Sequence, residues 1–108
     1  MTGNEYQNLA KKTALYPREM GVYYTTLGLA GEAGEIANKV KKIIRDDKNV
    51  VTDARREDLK SEIGDVLWYC AMLAEELGLA LDDVMAANIE KLASRQNRNK
   101  LGGEGDGR

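Results

Sequence analysis

Leu29-Ala-Gly-Glu-Ala-Gly-Glu-Ile-Ala-Asn-Lys-Val-Lys-Lys-Ile43 is the stretch that decides the fold of this chain. Its apolar residues Leu29, Ala33, Ile36, Val40 and Ile43 are spaced 4, 3, 4, 3, the period of a helix with one buried face. The same heptad spacing returns in Ile63, Val66, Cys70, Leu73 and Leu77. No alternating strand pattern lasts anywhere, and Pro17 is the single proline. Thr2 with Glu5 reads as a capping box that opens a first helix through about Ala14. Pro17 ends a short connection, and the long helix then runs from about Arg18 to Arg45. Asp46 to Thr52 is a polar loop; Asp53 is placed to cap a third helix reaching Leu77, with Gly78 as its stop. A fourth helix covers Leu81 to Asn97, with Asp82 and Asp83 suiting its dipole. The expected fold is an all-α, four-helix-type bundle over residues 1–98, followed by a disordered glycine-rich tail at 99–108.

Composition narrows the class. A chain of 108 residues is one domain with one core. Its 16 basic and 18 acidic side chains give a net charge of −2, which leaves no footprint for general nucleic-acid binding. Histidine is absent, which excludes a His general base and His-ligated zinc or iron. Cys70, the one cysteine, sits mid-helix among apolar residues and reads as inert packing. No apolar run reaches the ~20 residues of a membrane span. Met1 to Tyr6 has neither the basic nor the apolar part of a signal peptide, so a soluble cytoplasmic protein is expected. Leu67, Trp68, Ala71 and Met72 leave the main stripe of the third helix and make a second apolar face. A second chain is expected to pack there, the alternative being that the first helix covers it.

The chemistry-bearing residues are two acidic couples, Glu32/Glu35 and Glu62/Asp65. Each couple, three residues apart, shares one helix face. Glu32 and Glu35 have no other charge in Leu27–Ala37, and Asp65 is followed by Val-Leu-Trp-Tyr-Cys-Ala-Met-Leu-Ala74. A carboxylate bordering such surroundings is costly unless it is paired or bound to a metal. Four converging carboxylates suit a hard divalent cation, Mg²⁺ or Mn²⁺.

The polar residues repeat one geometry on three helices. Glu32, Glu35 and Lys39 are spaced i, i+3, i+7, one residue before stripe positions; Glu62, Asp65 and Tyr69 do the same, and so do Asn88, Lys91 and Arg95. Positions seven apart differ by about 20° around a helix, so each set is a column at the rim of the core. Three such columns are expected to line a common cleft suited to a metal-bound polyphosphate. Each residue also has a plainer reading. Lys39 can pair with Glu35, Lys91 and Arg95 can serve the helix dipole, and Tyr69 can be packing with an exposed hydroxyl. Trp68 and Tyr23 read as core or interface. Gly28, Gly31 and Gly34 recur inside a helix, where each costs about 1 kcal/mol relative to alanine, which calls for close approach of a backbone or substrate. Gly64 fits the same explanation.

Gly28-Leu-Ala-Gly-Glu-Ala-Gly-Glu35, then Glu62-Ile-Gly-Asp65, then Asn88-Ile-Glu-Lys91 with Arg95 closely resemble the MazG-like nucleoside triphosphate pyrophosphohydrolases of the all-α NTP pyrophosphatase superfamily. The likeness covers about Tyr6 to Arg98. It implies hydrolysis of a nucleoside triphosphate to the monophosphate and pyrophosphate. By that likeness Glu32, Glu35, Glu62 and Asp65 hold Mg²⁺, Lys91 and Arg95 contact the phosphates, Asn88 lies near the nucleotide, and Tyr69 lies by the base. It further implies a homodimer or homotetramer with sites near subunit interfaces. Without histidine or a reactive cysteine the nucleophile is water, its pKa lowered by the metal, and one glutamate, such as Glu35, orients it or takes its proton. Rival readings are a phosphoribosyl-ATP pyrophosphatase, a dUTPase-like hydrolase, and a non-catalytic helical nucleotide-binding adaptor. The first usually carries adjacent glutamates where this chain has Gly31-Glu-Ala-Gly-Glu35.

Overall fold

The computed structural model describes residues 1–99 and 101–108. Among them the chain is all-helical: α1 (Gly3–Lys11), a 3₁₀ turn (Arg18–Met20), α2 (Gly21–Asp46), α3 (Asp53–Glu76) and α4 (Leu81–Asn97), with no strand. The capping box of α1 forms as the sequence requires, with Thr2 Oγ1 accepting from Glu5 N at 3.1 Å and Glu5 Oε1 accepting from Thr2 N at 3.2 Å. α1 stops at Lys11, short of Ala14, because Lys12, Thr13 and Ala14 turn to i−3 carbonyls and the Thr13 hydroxyl also donates to Ala10 O. The cap of α3 is Thr52, not Asp53: Thr52 Oγ1 accepts from Arg55 N at 3.2 Å, and Asp53 is the first helical residue. Gly78 ends that helix with φ +70°. Leu79 N reaches Ala74 O and Gly78 N reaches Glu75 O, a Schellman closure.

The core lies where α1, α3 and the start of α4 meet, and consists of Ala10, Tyr16, Ala71, Met72 and Leu81 with Tyr6, Ala14 and Trp68 against it. The second face of α3 is covered in part by its own chain: Ala71 and Met72 are fully buried against this core, while Leu67 on the same face stays 46% exposed. The heptad stripe is the more open face, with Ile63 58% and Leu77 55% exposed. Cys70 on that stripe is exposed instead of packed, although partial burial still pushes its thiol pKa up.

Polar contacts fasten α1 in place. Buried Gln7 donates to Leu79 O at 2.9 Å and accepts from Leu81 N at 2.9 Å. Asn4 and Asp82 exchange backbone-to-side-chain bonds at 3.1 and 2.9 Å. The bonds from Leu81 N and Asp82 N satisfy amides at the start of α4, and that from Asn4 N one at the start of α1, that no helical carbonyl reaches. α2 and α3, joined by a short loop, form the most extensive helix pair. Among the described residues, no helix is long and apolar enough to cross a membrane. The glycine-rich segment expected to be disordered includes Lys100, which lies outside the described residues; 101–108 run in bends and turns, and Asp106 contacts α4.

Candidate metal and nucleotide site

The α2–α3 pair brings acids from both motifs together. Carboxylate oxygens of Glu32, Glu62 and Asp65 lie within 4.8 Å of one another, the first two half-buried and the third exposed. Lys39 Nζ donates to Glu62 Oε1 at 2.8 Å and to Asp58 Oδ1 at 2.7 Å, so it clasps α3 and does not pair with Glu35. Both acids hold the Lys39 pKa above its ordinary value, so it stays charged. The other oxygen, Glu62 Oε2, is buried with no hydrogen-bond donor among the described residues. Glu32 is held above the ordinary carboxylate range, first by burial, then by the charge of Asp65 and contact with Glu62, with a smaller push from Glu35.

This arrangement fits a hard divalent cation. A buried carboxylate oxygen without a donor is costly, and so is a third negative charge beside two others. One oxygen-seeking cation relieves both penalties. Glu35 is exposed and lies outside the three-carboxylate group, yet its charge is felt at Glu32.

Glu32 and Asp65 open onto a cleft of about 320 Å³ whose other walls are Thr13, Trp68 and Tyr69. Trp68 Nε1 donates to Thr13 Oγ1 at 2.9 Å, tying the end of α1 to the cleft. Trp68 meets Tyr69 edge-on at 5.0 Å, and Tyr24 stacks on Tyr16 at 4.9 Å. Gly28 makes room for this wall, because a Cβ there would sit 2.1 Å from the Tyr69 ring. Gly31, Gly34 and Gly64 face open space, so within one chain only Gly28 has the close neighbour that the glycine spacing calls for.

The third column does not join the other two. Asn88 and Lys91 line a separate groove with Leu79, Asp83, Val84 and Ala87. Lys91 Nζ meets Asp106 Oδ1 at 2.8 Å, and Arg95 Nη2 meets the same oxygen at 3.0 Å and also Asp106 O. The expected single cleft is therefore divided within one chain, since α2 and α3 pack side by side while α4 packs against α1 and α3. Trp68 packs against the core as its core-or-interface reading expects, and it also walls the cleft. Thr13, expected inside the first helix, stands past its end and lines the cleft, and nothing in the sequence tells Asp58, the partner of Lys39, from a solvated charge.

A MazG nucleotide pyrophosphohydrolase domain profile matches residues 23–99, and the chain belongs to that family. It is 50% identical over 109 residues to the "Gene 37 protein" of Mycobacterium phage L5, covering 95% of this chain and 96% of that one. It is 38% identical over 82 residues to the "Uncharacterized protein YvdC" of Bacillus subtilis (strain 168), covering 71% of this chain and 77% of that one. No solved structure gives a significant match.

Proposed function

We propose that this protein hydrolyses a nucleoside triphosphate, ribo- or deoxyribo-, to the monophosphate and pyrophosphate, with Mg²⁺ as cofactor and Mn²⁺ able to substitute. The observation that carries the reading is the Glu32–Glu62–Asp65 group with the donorless Glu62 oxygen, inside the matched family domain. Glu32, Glu62 and Asp65 hold the cation, with Glu35 beside them. A divalent cation held there would supply charge neutralisation for the triphosphate and a lowered pKa for the water.

The chain's own groups do the rest. Lys39 holds the Glu62 carboxylate in place through Oε1, while Oε2 has no hydrogen-bond partner among the described residues. Glu35, exposed and outside the tight group, is the carboxylate free to orient water and accept its proton. Tyr69 and Trp68 give the base an aromatic wall, with their packing against Tyr16 and Tyr24 keeping it rigid. Lys91 and Arg95 contact the phosphates, and Asn88 lies near the nucleotide. Because α4 lies away from the acidic cleft of its own chain, that role calls for α4 of a second copy, in a homodimer or homotetramer.

The area of the chain favours such an assembly. Its accessible surface is 7647 Å², against about 6,000 Å² for a compact monomer of this mass. Its radius of gyration is 16.6 Å, against about 13 Å for a compact domain of this length.

The reading is tested by incubating the protein with Mg²⁺ and a panel of NTPs and dNTPs. Pyrophosphate and monophosphate in equal amounts are expected from at least one of them. Release of orthophosphate and diphosphate, or no product from any nucleotide, overturns it.

A further inference from the structure

α4 carries a contradiction that points to a control element. From Asp83 to Ser94 its side chains are exposed except for half-buried Lys91, whereas Arg95 is only 4% exposed. Segment 101–108 meets Arg95 there: Asp106 presents one carboxylate oxygen to Lys91 at 2.8 Å and to Arg95 at 3.0 Å, and its backbone carbonyl also accepts from Arg95. The segment is folded for this. Arg108 binds the carbonyls of Gly105 and Leu101, and Gly103 and Gly105 take φ values of +97° and +82° that close the loop. Lys91 and Arg95 are the cations read as phosphate contacts, one helical turn apart and bridged by a single anionic oxygen. A polyphosphate oxygen has the same charge-assisted bonding chemistry as that carboxylate.

We infer that Lys91 and Arg95 form an anion seat which Asp106 occupies in the resting chain, so that segment 101–108 competes with the phosphates of the substrate and is displaced by them. The inference rests on the reading of Lys91 and Arg95 as phosphate contacts, and it does not require that hydrolysis occur. The two cations hold the Asp106 carboxyl below its usual range, so the occupant stays charged at neutral pH. An intramolecular competitor acts at a fixed high effective concentration, so a single modest contact is enough to weaken a free anion.

The test is calorimetric binding of inorganic pyrophosphate to the full chain without metal. Asp106→Asn is expected to bind at least about fivefold more tightly than the unaltered protein, and Lys91→Ala added to Asp106→Asn to lose that gain. Glu104→Gln removes the same charge from the same segment without touching α4, and is expected to leave affinity unchanged. Equal affinity of Asp106→Asn and the unaltered protein overturns the inference, as does an equal gain from Glu104→Gln or a gain that survives Lys91→Ala. No binding by any variant overturns it too. A protein that hydrolyses nothing yet binds pyrophosphate more tightly as Asp106→Asn would sink the hydrolase reading and keep this one.

Discussion

Glu62 is held by one oxygen and left open by the other, and that division is what makes the acidic group more than a cluster of surface charges. Asp65→Asn removes a charge from the same group while keeping its size. Turnover is expected to fall by more than the ~10–100-fold that loss of a supporting group causes, with far-UV circular dichroism unchanged. Full activity would remove the acids from the mechanism. Tyr16 makes a separate prediction. Its hydroxyl donates to Glu76 Oε1 at 2.6 Å, and burial with that bond pushes its pKa up to about 12. An unfolded tyrosine ionises near ~10. The bond's contribution is therefore fully present below pH ~10 and is lost as pH rises through about 12. Tyr16→Phe should cost about 1.5–3 kcal/mol in urea unfolding at pH 7, with the deficit shrinking at high pH. The spacing of the acids in the sequence anticipates the approach of Glu32, Glu62 and Asp65, while Glu35, expected with them, lies outside that group. The partner of Lys39 was not legible there, because i, i+4 pairing within α2 and a bridge to Asp58 and Glu62 look alike until the helices are placed.

At the scale of elements, the two acidic motifs sit on neighbouring helices because a short loop folds α3 back along α2. The period of the apolar residues marked α2 and α3, while α1 was read from the Thr2–Glu5 capping box and α4 from the acids Asp82 and Asp83 at its start; Gly78 marked the end of α3. The cap at Thr52 was missed because Asp53 beside it is an equally good capping residue. Which face of α3 is most buried was also missed. Periodicity finds a stripe but cannot tell which neighbour reaches it, and α1 reached the Ala71–Met72 side. The glycines of α2 now separate. Gly28→Ala should destabilise by about 1–3 kcal/mol despite its better helix propensity, because its Cβ would meet the Tyr69 ring. Gly34 faces open space in the single chain, so Gly34→Ala there should stabilise by up to about 1 kcal/mol. A loss at Gly34, read by thermal melting at several protein concentrations, would mean that another chain lies against it.

The whole molecule exposes more than a chain of this size should, and the exposed side chains include large apolar ones on α2 and α3, such as Val40, Ile44 and Ile63. Sedimentation velocity is expected to give a dimer or tetramer mass. Ile63→Glu, which on a lone chain would be a surface change within about ±0.5 kcal/mol, should dissociate that assembly and reduce turnover with it. A monomer with full activity would mean that α4 acts within its own chain. Beneath the assembly lies the claim that facing carboxylates of α2 and α3 bind a divalent cation, and Mn²⁺ titration followed by electron paramagnetic resonance tests it most directly. The unaltered protein should bind Mn²⁺ saturably, with Mg²⁺ displacing it, and Glu62→Gln should lose that binding while keeping its helicity. Absence of saturable binding, or equal binding by Glu62→Gln, would contradict the account.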